Sequence, residues 1–217
     1  YRVIVIGYAA FGLILGLLFT QLSPSVEIPP KTGTIGSPEK SGNFLGLHRS
    51  RNVVLRLSAL FSLDAFAGGF VLQSILAYWF HVRFNAEPAL LGSIFFGANV
   101  LAGISALTAA RIASRIGLIR TMVFAHIPSN ILLILVPFMP NLPLAITILL
   151  MRFSISQMDV PTRQSYTMAV VDPDERSAAA GITGIARTTG SSLSPIIAGP
   201  LLANMALMGT PFILSGG

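Results

Sequence analysis

The stretch SISQMDVPTRQSY, Ser154 to Tyr166, comes directly after the apolar run LPLAITILLM, Leu142 to Met151, and the pair Arg152 and Phe153. A segment that starts like a lipid-buried helix thus carries two arginines, Arg152 and Arg163, and the carboxylate of Asp159. Its surroundings decide whether these charges lie in water or inside a bilayer. Of the 217 residues 53% are hydrophobic and only 10% are charged, against about 25% charged in an ordinary soluble domain. So few charges would leave large apolar patches wet on a soluble fold. Lipid as the surrounding solvent removes that conflict.

About 20 apolar residues at 1.5 Å rise cross a hydrocarbon core about 30 Å thick. Val3 to Val26 holds no charge, Leu57 to Phe80 is broken only by Asp64, and Leu90 to Ala110 is again uncharged. Thr121 to Met139 carries only His126; a fifth run starts at Leu142 and turns polar at Arg152; a sixth, Ala178 to about Leu202, contains Arg187. A further apolar stretch, MALMGTPFIL, is too short to span, which gives the chain the look of a truncated product. The first run is too long and too poorly closed by small residues for a signal peptide, so it is expected to span.

The formal charge of +6 is not spread over a nucleic-acid-binding face. The basic residues sit between the apolar runs. Lys31, Lys40, Arg49, Arg51 and Arg56 precede span two, Arg111, Arg115 and Arg120 follow span three, and Arg163 and Arg176 follow span five. The alternate connections hold only Arg83. Because Lys and Arg are retained on the cytosolic side, the odd-numbered spans are expected to end inside, with Tyr1 starting outside. The expected home is a cell inner or plasma membrane. Residues 23–56 begin with SPSVEIPPKTGTIGSPEKSGN, a composition too poor in large apolar groups to fold alone. They are expected to form a flexible cytosolic linker. Cysteine is absent, which excludes disulfides and thiolate metal sites. Three scattered histidines suggest no metal centre, and no motif calls for a cofactor.

One helix, a long linker, then five spans and the start of a sixth resembles the major facilitator superfamily. A local pattern agrees: ARIASRIGLIR, Ala110 to Arg120, is similar to the family's cytosolic G-x-x-x-D-R-x-G-R-[RK] motif through Arg115 and Gly117, with Ala110 and Ser114 in place of its glycine and aspartate and Leu118 and Ile119 in place of its two basic residues. DPDERSAAAGI, Asp172 to Ile182, is similar to the entry into the family's eleventh helix. Independently of that likeness, its acids suit the positive end of a helix dipole, and the small residues that follow allow close helix packing in lipid. The resemblance implies an all-α, polytopic helical bundle. It places residues 1–22 as the last helix of an N-terminal bundle otherwise missing here, 23–56 as the central loop, and 57–217 as a C-terminal bundle ending early. It also implies a secondary transporter in which two six-helix bundles rock around a midplane site.

Ionisable groups at bilayer depth are costly and usually face a bundle interior or a wet cavity. Arg152 lies about 15 Å from Leu142 along a helix, near mid-membrane, and is expected to contact substrate or a coupling carboxylate, or to belong to a structural pair. Asp64 has three readings: proton coupling or substrate contact, partner to an arginine such as Arg152 or Arg187, or a position nearer the interface. Arg187 either reaches the cavity or makes a structural ion pair. Gln73 and Asn99 can hydrogen-bond a solute or hold helices together. Asp159 and Arg163 share a face while the helix persists and are expected to pair near an inner gate, with Pro161 ending the helix at Val160. Arg111, Arg115, Gly117 and Arg120 belong to the cytosolic motif. His126 is expected to be a packing histidine, and Trp79 and Tyr78 to sit in an interfacial aromatic belt.

No phosphate-binding loop and no nucleophile with a base at motif spacing supports an enzyme. The expected partners are the lipid bilayer, a small-molecule solute, protons and the missing N-terminal bundle, but no nucleic acid. The alternative from another class is a non-transporting membrane sensor that keeps the fold. Substrate identity and direction of movement are not legible.

Overall fold

The computed structural model describes residues 2–21 and 46–216. The chain divides into two compact units, Tyr1–Lys40 and Ser41–Gly217. In the first, α1 (Arg2–Thr20) is 19 residues of apolar sequence behind a single arginine, about 28 Å long. Residues 22–45, which hold most of the expected linker, lie outside the described residues.

The second unit is a helical bundle. Its elements are α2 (Arg51–Gly69), α3 (Gln73–Phe84), α4 (Pro88–Ile116), α5 (Leu118–Leu135), α6 (Leu142–Ser156), α7 (Asp159–Val170), α8 (Arg176–Ala203) and α9 (Thr210–Gly216). No strand occurs among the described residues. Among the described residues four stretches are long and apolar enough to cross a membrane: Arg51–Phe84, Pro88–Ile116, Leu118–Phe138 and Leu142–Val170. The helix α8 has the length, about 42 Å for its 28 residues, but its Ser, Thr and Gly content makes it less apolar than those four. Large apolar side chains point outward around the unit: Leu63, Phe96, Leu107, Phe124 and Ile196 are each more than 60% exposed. That surface is incompatible with water and suits hydrocarbon.

Two expected continuous spans are each two helices. The run read as Leu57 to Phe80 starts earlier, at Arg51, so the last residues assigned to the linker are helical, and it breaks at Phe70 to Leu72 behind Gly68-Gly69. The fifth run breaks at Gln157-Met158, ahead of Pro161. Pro161 therefore does not end a helix at Val160. It occupies the first turn of α7, where its missing N–H would have had no intrahelical partner.

The tightest seam joins α2 to α8. A Cβ added at Gly190 would collide with the Ser62 carbonyl, and one at Gly69 with the Ser191 carbonyl and the Ser194 side chain. Ser194 Oγ donates to the Phe66 carbonyl across this seam. Small residues here allow the backbones to approach within van der Waals contact, the packing mode favoured in lipid. The expectation of tight packing holds at Gly190 but not at Gly181, Gly184 or Gly199, which face open space.

An apolar core gathers around α3. Trp79 is 2% exposed and packs against Phe80 (5.2 Å between ring centroids), Phe84 (5.5 Å) and Phe212 of α9 (4.9 Å). Trp79 is thus a core residue rather than part of an interfacial belt, whereas Tyr78 is 48% exposed. The turn after α3 is made by Asn85 at φ 52°, one of the few non-glycine residues that tolerate this conformation.

Candidate functional site

A cavity of about 710 Å³ opens between α2, α5, α6, α7 and α8. Asp64 lines it, 13 residues into α2 and so about 20 Å along that helix. Arg163 Nη1 donates to Asp64 Oδ2 at 3.0 Å, and Arg187 Nη1 donates to the same oxygen at 3.2 Å. His126 Nε2 lies 3.4 Å from Oδ1. Arg163 also donates through Nη2 to Asp159 one helical turn back, and its guanidinium carbon stands 5.4 Å from the centre of the Phe61 ring. Three helices therefore bring cationic or protonatable groups to one carboxylate on a fourth.

Burial differs along this network. Arg163 and Asp159 are buried, at 7% and 9% exposure, while Asp64 and Arg187 face the cavity. Opposite charges in such surroundings hold one another strongly, and removing one partner of a buried pair leaves an expensive uncompensated charge. The pairing expected of Asp159 with Arg163 is present, but it is no separate gate pair. The same arginine belongs to the Asp64 network.

Arg152 lines the cavity, yet no ion pair or hydrogen bond joins it to another described residue. Its Nε is buried without a partner, as is Ser156 Oγ one turn further along α6. Its guanidinium carbon stands 5.5 Å from the centre of the adjacent Phe153 ring. Arg187, not Arg152, is thus an arginine partner of Asp64.

The remaining expected residues lie elsewhere. Gln73 begins α3 on the surface, and Asn99 Nδ2 donates to the Phe95 carbonyl of its own helix at 2.7 Å. Neither lines this cavity. Arg111, Arg115 and Arg120 are exposed and apart from it. Gly117 has a structural reason to be glycine. At φ 93° and ψ 155° it ends α4 and starts α5 in one residue, a conformation accessible essentially to glycine alone. His126 is the residue sequence reasoning missed. Its signal was an ionisable group within an apolar run, but its packing role was preferred.

A second polar centre holds the DPDER loop. The Glu175 carboxylate accepts from the backbone N–H groups of His48 (2.8 Å), Arg49 (2.7 Å) and Ser50 (2.8 Å), and Ser50 Oγ accepts from the Asp172 N–H. Desolvation pushes the Glu175 pKa up, but the N–H groups of Arg49, His48 and Ser50 outweigh it and draw the value down to about 2. His48 stands against both Glu175 (2.8 Å) and Asp174 (3.4 Å). The carboxylate thus satisfies donors at the start of α2 from far along the chain, docking the segment before α2 onto the start of α8.

Long apolar helices with exposed greasy faces, enclosing a cavity whose charges turn inward, define an integral, multi-pass membrane protein. The chain matches the profile described as Major Facilitator Superfamily over residues 1–195 and belongs to that family, one made generally of transporters rather than enzymes. It is similar to the uncharacterized membrane protein YJR124C of Saccharomyces cerevisiae, with 29% identity over 191 residues. That alignment takes in 88% of this chain but only 42% of the yeast protein. No solved structure matches.

Proposed function

We propose that the full-length protein is a secondary active transporter that moves a small solute by alternating access, with proton movement through Asp64 as the coupling step. The single observation that carries this reading is the shared Asp64 carboxylate, held by Arg163, Arg187 and His126 at the wall of a cavity. Asp64 stands on α2, which packs intimately along α8, while Arg163 and His126 stand on α7 and α5. A proton taken by Asp64 removes the negative charge that ties these elements together. Loss of that tie lets the α2–α8 pair move against α5 and α7, and return of the proton to the opposite side restores it. In this account the linker and the Glu175 docking site lie on the cytosolic side, in accord with the loop charges.

The test is flux in vesicles carrying the full-length protein, with and without an imposed pH gradient. Wild type should accumulate solute with the gradient, and Asp64→Asn should abolish its effect. Gradient-driven accumulation that persists in Asp64→Asn removes the coupling step. Absence of flux for every solute in a broad panel favours a sensor.

A further inference from the structure

We propose that the solute carries an anionic group, a carboxylate or phosphate, and that Arg152 and Ser156 of α6 are its seat. This rests on the transporter reading and adds the substrate class. Three guanidinium groups line the cavity, on Arg152, Arg163 and Arg187, against two carboxylates, on Asp64 and Asp159. The carboxylates are occupied: Asp159 by Arg163, and Asp64 by Arg163, Arg187 and His126. Positive charge is in excess, and the geometry shows where. Arg152 has no acidic partner among the described residues.

A second, independent observation points to the same place. Arg152 Nε and Ser156 Oγ are both buried and lack any hydrogen-bond partner. Their spacing of four residues puts them on one face of α6, one turn apart. Buried polar atoms in native structures are almost always satisfied, so two adjacent orphans on residues that line one cavity mark donors awaiting an acceptor. A guanidinium matches a carboxylate or phosphate in fork geometry, and the neighbouring hydroxyl adds one more donor. Arg187, 36% exposed with one bond to Asp64, offers further N–H groups from α8. A cationic solute would meet this excess as repulsion. A neutral apolar one would leave the Arg152 charge uncompensated.

Binding separates this proposal from transport. The full-length protein in lipid-free detergent micelles is titrated with inorganic phosphate, with a set of small mono- and dicarboxylates, and with their amides and amine analogues, following melting temperature and heat of binding. The expected result is saturable binding by at least one anion and none by its neutral or cationic analogue. Arg152→Gln should weaken that anion at least tenfold, Arg152→Lys should recover part of the loss, and Arg83→Gln, in the last turn of α3 and away from the cavity, should leave it unchanged. Anion binding without flux would keep this site while removing the transporter reading. Flux of a neutral or cationic solute that survives Arg152→Gln, no binding by any anion in the set, or stabilisation by phosphatidylglycerol alone would each overturn the proposal.

Discussion

The α2–α8 seam can be tested by substituting two glycines of one helix. At Gly190 a new Cβ would fall inside the Ser62 carbonyl oxygen's van der Waals shell, 2.9 Å from Ser62 Oγ and 3.0 Å from its carbonyl carbon. Relief to an ordinary contact of about 3.5 Å requires the helices to part by roughly 1 Å. That movement also stretches the hydrogen bond from Ser194 Oγ to the Phe66 carbonyl. Overpacking costs about 1–3 kcal/mol and a weakened hydrogen bond about 0.5–1.5 kcal/mol. Better helix propensity returns about 1 kcal/mol on replacing Gly with Ala. The net for Gly190→Ala is a loss of about 1–3 kcal/mol. At Gly184 nothing lies within 4 Å of the added carbon, so only the propensity gain remains. In a chain of this size each kcal/mol moves the melting temperature by about 2–4 °C. Scanning fluorimetry in detergent should therefore show Gly190→Ala melting lower than wild type by about 2–12 °C and Gly184→Ala at or slightly above it. Equal behaviour of the two variants would refute the close approach of α2 and α8.

Three further outcomes follow from other parts of the bundle. Glu175 titrates lower in the fold, about 2, than its ordinary 4.5, so its stabilising effect is fully present above about pH 4.5 and is lost as pH falls through 2. Melting temperature against pH should decline over that window, and Glu175→Gln should lower the plateau and flatten the decline. Gly117→Ala, placed at φ 93°, should cost about 1–3 kcal/mol, read as a lower denaturation midpoint, while Ser114→Ala on the exposed side of α4 should not move it. Trp79→Ala removes the ring between Phe80, Phe84 and Phe212 and should cost about 3–5 kcal/mol, visible as a large drop in detergent-resistant monomer on size exclusion.

Much of the plan was legible because hydrophobic length and charge placement are local properties. The apolar runs marked the helices, Asp64 and Arg187 were readable as a possible pair, and Arg152 was placed at depth by counting residues. The misses have two causes. Counting assumes a helix continues, and the break at Gln157-Met158 separates Arg163 from the register set by Arg152, allowing it to meet Asp64 as well as Asp159. Trp79 reads as interfacial by its position along the chain, but Phe212 reaches it from 133 residues away. The Glu175 carboxylate caps donors 125 to 127 residues upstream. Such contacts depend on tertiary folding, and no local pattern announces them.

The proposed transport requires the charged cavity to be a water-filled path through the membrane, while the faces away from it touch lipid. The chain has no cysteine, so single cysteines can report on each surface once any others in the full-length protein are replaced. Thr188→Cys lines the cavity beside Arg187, and Leu107→Cys stands on α4, where the native side chain is 82% exposed. A membrane-impermeant thiol reagent applied to vesicles should modify Thr188→Cys, with solute slowing the reaction, and should spare Leu107→Cys. Modification of Leu107→Cys with Thr188→Cys unreactive from both sides would contradict the account.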